Sequence, residues 1–429
     1  MTLNSPTEEM RDWVEGLIGS PIAGATREFA GGSRPLWYLQ IGDESYVLRL
    51  DTGGGALAGS VYDVKREIDV YRALTGSVVP VPRVLGTRQF TEGLVMLMSR
   101  APGDSRLPRD TDGALVLIDD LVQAIADLHS LDSAHLDLGW GQPPSIHDSI
   151  RHELAVWNEL ASDHPRSECS YALGWLGAHL DSLEASNASA VLVQGDTGPG
   201  NAVFDGDKLS AIVDWELSHF GDPMEDLAWI DQRCQQWDLI AGARARRLRA
   251  YGLTVTEQRI AYHAVFVRLR CAVITARTIK SGGGALGLAV YEPAQNRFNR
   301  EIVRAVAEAS GIKAPDPDRI TSEIAKEIGF DPAALRAQVE SIMSNRPVDK
   351  AQRLTHRENA ILALHEWMES NHGAAMREHD AADAMKTLGA PPDPALLRAA
   401  GASTDEGVLA YLARSSIRTA MMWPEPTLG

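Results

Sequence analysis

The sequence predicts an α+β protein of two lobes with a helical C-terminal extension. Three observations predict it. The first hundred residues are rich in strand-like runs. The chain turns mainly helical beyond Ala101-Pro102-Gly103-Asp104. Helical patterns resume again after the proline-rich break at Ala314-Pro315-Asp316-Pro317-Asp318. The expected segments are residues 1–100, 101–313 and 318–429, within the two to three domains that a length of 429 residues suggests.

Ser5-Pro6-Thr7-Glu8 reads as a capping box with proline at the first helical position, opening a short amphipathic helix to about Ile18. Strand-like runs follow at residues 22–30, 36–41 and 45–50, with Gly42-Asp43-Glu44 as a turn. Val61, Val64, Ile68 and Tyr71 recur at helical spacing. After Pro80-Val81-Pro82, residues 83–88 and 94–98 complete a set of five strands and one helix. Helices are expected next at residues 113–130, 149–161 and 172–185, then from Pro223, Ala241, Glu257 and Ala289. In the tail, Ile361, Leu362, Leu364, His365 and Met368 fall on helical spacing without a catalytic constellation. The first expectation for this tail is an appendage that packs on the second lobe or makes a subunit contact, giving a homodimer through the C-terminal extension.

Composition narrows the function. A net charge of −17 leaves no basic excess to pair with nucleic-acid phosphates or an anionic membrane surface. Cys169, Cys234 and Cys271 are scattered and show no zinc-ligand spacing, which fits a reducing compartment. The stretch MTLNSPTEEMRDW has no apolar core of a leader, and no apolar run is long enough to span a bilayer. A cytoplasmic protein is expected.

The most informative stretch is VLVQGDTGPGNAVFDGDKLSAIVDWE, residues 191–216. Two apolar runs are each closed by an aspartate, Asp196 and Asp214, with Asn201 between them and a hairpin turn at Asp205-Gly206-Asp207-Lys208. An aspartate at a strand end is often only a turn former. The set as a whole supplies what phosphoryl transfer needs: one carboxylate for a hydroxyl proton, and an amide and a second carboxylate as hard oxygen ligands for Mg²⁺.

This stretch resembles the aminoglycoside phosphotransferase family of the kinase-like superfamily, where His-Gly-Asp, four residues, Asn, a hairpin and Asp follow one another. Gln194-Gly195-Asp196, Asn201 and Asp214 fall on that pattern, with Gln194 in place of the histidine. The resemblance covers about residues 20 to 310. It implies a protein-kinase-like fold, with a five-stranded antiparallel N-terminal lobe and a mainly helical second lobe. It implies a Mg²⁺-dependent phosphotransferase that moves the γ-phosphate of ATP, with GTP left open, to a hydroxyl of a small molecule. Asp196 would be the base or orienting carboxylate, and Asn201 and Asp214 the metal ligands. Gly31, Gly32 and Ser33 would form the Gly-rich hairpin over the nucleotide. Arg49, where many relatives carry lysine, would pair with its phosphates and with Glu67 on the next helix. Residues 94–101 would supply the adenine-binding hinge.

Asp214-Trp215-Glu216-Leu217, Gly221-Asp222-Pro223 and Asp226-Leu227-Ala228-Trp229 look closest to a branch found beside acyl-CoA dehydrogenases, which implies a hydroxyacyl acceptor. An antibiotic kinase, whose acidic surface recruits a polycation, and a catalytically silent nucleotide-binding scaffold are the alternatives. Asp222 reads as a helix cap and Asp226 as a buried acceptor that ties down the catalytic loop. Trp157, Trp175, Trp237 and Tyr291 are candidates for the acceptor pocket, although aromatics at helical spacing are more often core.

Overall fold

The structure, a computed structural model, describes residues 4–28, 34–108, 110–183, 188–235, 256–281, 284–344 and 350–425. Helix α1 (Glu8–Ile18) begins two residues later than a capping box at Ser5 would place it: its cap is Thr7, whose hydroxyl accepts from Met10 N at 3.3 Å. The glutamates Glu8 and Glu9 then sit in the first turn, where the helix dipole favours them.

Five strands form one antiparallel sheet: β1 (Gly24–Glu28), β2 (Leu36–Ile41), β3 (Glu44–Asp51), β4 (Val84–Phe90) and β5 (Gly93–Ser99), in the order β1-β2-β3-β5-β4. Alternation divides each strand between two faces. Trp37, Leu39, Ile41, Leu48, Leu50, Val95 and Leu97 pack in one cluster with Met10 and Val14 of α1. Because β3 is the central strand, Arg49 lies in the middle of the sheet and not on an edge. Helix α2 (Val64–Leu74) follows, capped by Asp63, whose carboxylate accepts from Arg66 N.

Beyond the sheet come α3 (Thr111–Ser130), α4 (Ile146–Ser162) and α5 (Ser167–His179). Four short strands then place the informative stretch. Strand β6 (Val191–Val193) pairs with β9 (His219–Gly221), and β7 (Ala202–Asp205) pairs with β8 (Lys208–Ile212). Helix α6 (Pro223–Gln235) follows; Asp222 Oδ1 accepts from Met224 N at 2.9 Å at its start. Helix α7 (Glu257–Ser281) and α8 (Gly284–Ala309) succeed it, the latter starting ahead of the expected Ala289. The helix expected from Ala241 lies outside the described residues.

The chain forms two compact units. The first holds Met1–His152 and Leu183–His263; the second holds Glu153–Ser182 and Ala264–Gly429. These units cut across the three segments read from the sequence, since the tail shares a unit with α5 and α8. In that second unit α5 crosses α13 (Pro394–Ala402) at backbone contact. A Cβ on Gly174 would lie 2.0 Å from the Arg398 carbonyl oxygen, and one on Gly401 would lie 2.0 Å from that of Tyr171. The Tyr171 hydroxyl donates to Asp405 O at 3.0 Å, and Trp175 Nε1 donates to Ser310 Oγ at 2.9 Å. Trp157 and Trp175 are buried in this interior, so they serve the core and not a pocket. Tyr291 is exposed, and Trp237 lies outside the described residues. The buried guanidinium of Arg270 lies between Trp157 and Phe266 and bonds Glu153 at 3.0 Å.

Candidate active site

Every described residue of the predicted site lies in the first unit. Asp196 follows β6 through a turn that only glycine fits: Gly195 has φ +83°, and a Cβ there would lie 2.3 Å from the Leu217 carbonyl oxygen. Asp214 follows β8 and is itself left-handed, with φ +62°. An aspartate tolerates this region better than most residues, at a cost of about 1 kcal/mol or more. Its surroundings hold it there. Gln194 Nε2 donates to Asp214 O at 2.8 Å, and Asp214 N donates to the Tyr71 hydroxyl at 3.3 Å.

Gln194 is fully buried and joins the two aspartate loops. Its amide nitrogen donates to Val213 O at 3.2 Å as well as to Asp214 O, while its oxygen accepts from Asp196 N at 2.8 Å and Thr197 Oγ1 at 3.2 Å. Glutamine presents both donors and acceptor at once, which a neutral imidazole, with one donor and one acceptor, does not. The departure from the expected histidine therefore comes with its own set of contacts.

Beneath this loop sits Asp226 of α6, also fully buried. Its Oδ2 accepts from Gln194 N at 3.0 Å and contacts His129 Nε2 at 2.9 Å; its Oδ1 accepts from Gly195 N at 3.0 Å and Thr197 Oγ1 at 2.6 Å. Asp222 is held by Arg259 and by His263 Nε2 at 3.1 Å. Burial alone would raise its pKa, but these two partners hold it at about 2.

The sheet side reaches the same point. Arg49 donates to Glu67 Oε1 at 2.7 Å and to Asp214 Oδ1 at 3.0 Å, and lies 3.7 Å from Glu216 Oε2. Tyr71, one turn beyond Glu67, donates to the same Glu67 oxygen at 3.1 Å. Burial would lower the Arg49 pKa; the Glu67 and Asp214 carboxylates outweigh it and raise it. Burial likewise raises Glu67, against the pull of Arg49. Arg34, which follows the glycine-rich segment, pairs with Glu216 and with Asp51. Gly31, Gly32 and Ser33 themselves lie outside the described residues.

Asp196 accepts from Asn201 Nδ2 at 3.0 Å through Oδ2, and its Oδ1 pairs with Arg233. Burial raises its pKa, with Arg233 opposing. Arg233 was not anticipated from the sequence. It lies seven residues beyond Asp226, two helical turns along the same face of α6, which is the pattern that could have shown it. Arg34 was not anticipated either, since its partner Glu216 is distant in sequence, and Tyr71 was read only as part of a helical stripe.

The donor set suits a hard cation. Asp214 is a partly exposed carboxylate, and the Asn201 amide nitrogen is bonded to Asp196, so the amide oxygen is not the atom engaged there. Among the described residues, no group of three or more His, Cys, Asp or Glu side chains forms a metal cage. Mg²⁺ needs none, since it commonly takes one or two protein oxygens and completes its shell with water and phosphate. Among the described residues no helix is long and apolar enough to cross a membrane.

Residues 25–263 match the APH family, described as the phosphotransferase enzyme family. The chain belongs to this family. Among curated proteins, acyl-CoA dehydrogenase family member 10 of Mus musculus is 28% identical over 358 residues, covering 77% of this chain and 31% of that protein. Acyl-CoA dehydrogenase family member 11 of Gallus gallus is 30% identical over 224 residues, 48% of this chain and 28% of that protein. The chain thus spans less than a third of the length of these relatives. Hygromycin-B 4-O-kinase of Escherichia coli is 25% identical over 301 residues, 59% of this chain and 82% of that enzyme. A solved structure from Ralstonia eutropha, assigned by name to the aminoglycoside phosphotransferases, aligns with a TM-score of 0.53 at 21% identity. It covers 72% of this chain and 99% of that one. The fold of this phosphotransferase-family chain is accordingly kinase-like, with the five-stranded antiparallel sheet that the resemblance implied.

Proposed function

We propose that this family member transfers the γ-phosphate of a nucleoside triphosphate to a hydroxyl of a small molecule, with Asp196 orienting that hydroxyl and accepting its proton. The observation that carries the reading is the bond from Arg49 to Asp214, which ties the nucleotide half of the site to the catalytic half. Arg49, positioned by Glu67, and Arg34 present guanidinium groups to the phosphates. On the resemblance, Gly31, Gly32 and Ser33 are assigned to the Gly-rich cover over the nucleotide. ATP is the expected donor, with GTP left open, since contacts to phosphates do not read the base.

Mg²⁺ bound by Asn201 and Asp214 would neutralise charge on the phosphates. The chain's own residues do the positioning. Gln194 and Asp226 hold the Asp196 loop rigid, so the acceptor oxygen is presented in line at little entropic cost. Since the transition state is loose, alignment contributes more than proton removal. The raised pKa of Asp196 makes it a better proton acceptor than an exposed carboxylate.

A second reading, antibiotic phosphorylation, draws on the similarity to hygromycin-B 4-O-kinase. The test is nucleotide consumption against a panel of hydroxylated small molecules that includes aminoglycosides. Asp196→Ala is expected to abolish turnover while nucleotide still binds; turnover at the wild-type rate in that variant would sink the assignment. Drug tolerance unchanged on expression in a sensitive bacterium would count against the second reading.

A further inference from the structure

Arg233 pairs with Oδ1 of Asp196, and its placement is built. Its stem fits only because residue 198 is glycine: a Cβ there would lie 2.8 Å from Arg233 Cβ and 2.5 Å from Cγ. Its guanidinium stacks over the Trp229 ring at 5.2 Å. Its side chain is 29% exposed and that of Asp196 is 20% exposed, so the pair faces the open side of the site. Asp196 has both oxygens engaged, Oδ2 by Asn201 and Oδ1 by Arg233.

An acceptor hydroxyl that reaches Asp196 must therefore settle beside a fixed positive charge. A polycation brings like charge to that position, whereas an anionic group brings a partner suited to a planar guanidinium fork. The overall charge of −17 would favour polycations at long range, so the local charge next to Asp196 runs against the global one. We infer that Arg233 is the specificity-determining residue for the acceptor, selecting hydroxyl compounds that carry a carboxylate or phosphate close to the hydroxyl and disfavouring polycationic ones. This rests on Asp196 marking the acceptor side, as proposed above.

Titration calorimetry on the full chain at low ionic strength, with glycerol 3-phosphate, glycerol and hygromycin B as probes, tests it. Wild type is expected to bind glycerol 3-phosphate at least about tenfold more tightly than the other two. Arg233→Gln is expected to lose that preference with an unchanged thermal midpoint, and Arg233→Lys to keep part of it. Equal affinities, no detectable binding of glycerol 3-phosphate, or a preference for hygromycin B would overturn the inference. So would a preference that survives Arg233→Gln, since it would put the phosphate near Arg34 and Arg49 instead. The two readings fail separately. An Arg233-dependent preference without phosphate transfer to any acceptor would remove the reaction and keep the anion site. Phosphorylation of hygromycin B without anion preference would do the reverse.

Discussion

The two compact units use buried polar groups in different ways. In the first, Asp226, Gln194, Asp222 and Glu67 are buried and each is bonded to more than one partner. Asp226 and Gln194 fix the backbone around Asp196 and Asp214, and Glu67 holds Arg49 against Asp214. In the second unit the closest packing is helix on helix through two glycines, and Glu168 is buried with its pKa raised to about 7 by desolvation. The difference teaches where precision is concentrated. The first unit places buried polar contacts on loop geometry, which chemistry needs; the second brings helix backbones together and sets its buried Arg270–Glu153 pair between helices.

The largest expected effect breaks the first pattern. Asp226→Ala leaves the amides of Gln194 and Gly195, the Thr197 hydroxyl and His129 without their shared acceptor. A loss of about 4 kcal/mol is expected, because buried donors are left unsatisfied and a buried partner is removed. Urea unfolding measures it, and a variant within 1 kcal/mol of wild type, by about the usual surface-substitution scale, would mean that the loop holds itself.

Next comes the second pattern. Gly401→Val forces side-chain atoms into the Tyr171 carbonyl on α5. A loss of about 3 kcal/mol is expected from overpacking. Hydrogen exchange should show the loss of protection in α5 and α13, with the Asp196 loop unaffected. Loss of protection spread evenly over both units would erase the contrast between them.

Gln194→Leu sharpens the contrast within the first unit. It preserves approximate size but strands the carbonyls of Val213 and Asp214 and the amide of Asp196, while the Thr197 hydroxyl keeps Asp226. About 2 kcal/mol of stability should go, and phosphate transfer should fall further than stability, since Asp214 loses a restraint on its left-handed backbone. Gln194→His should be milder, retaining one donor and one acceptor. Equal kcat/KM for Gln194→Leu and wild type would show that the bridge is structural only.

How much of this was legible in the sequence follows from distance along the chain. The strand at residues 36–41, the central strand bearing Arg49 and the helix bearing Glu67 show their period in a dozen residues. Asp196, Asn201 and Asp214 share one short stretch, and the structure puts Asn201 on Asp196 and Asp214 on Arg49. The Ser5 cap was misread because Thr7 offers the same chemistry two residues later. Spacing could place Arg233 on the Asp226 face of α6 but not against Asp196, and the bonds of Gln194 need the Asp196 and Asp214 loops to meet. The α5–α13 crossing joins residues more than two hundred positions apart, and a lone glycine within a helix gives no sign of its partner.

The smallest effect, taken per pH unit, distinguishes the units with opposite signs. Asp222, held at about 2, binds a proton less readily folded than unfolded. Its contribution is present above the unfolded aspartate value of about 3.9 and is lost as pH falls through about 2. Glu168, raised to about 7, does the opposite: its folded form keeps the proton. Stability is full below the unfolded glutamate value of about 4.3 and declines as pH rises toward about 7. The decline should stay below about 1.4 kcal/mol per pH unit, the limit for one proton. Glu168→Gln should flatten the neutral-side slope in urea midpoints and leave the acid side alone, while Asp222→Asn should alter only the acid side. A Glu168→Gln variant that keeps the wild-type slope between pH values of about 5 and 7 would show that the carboxyl is solvated or paired in solution, and the second unit would then resemble the first.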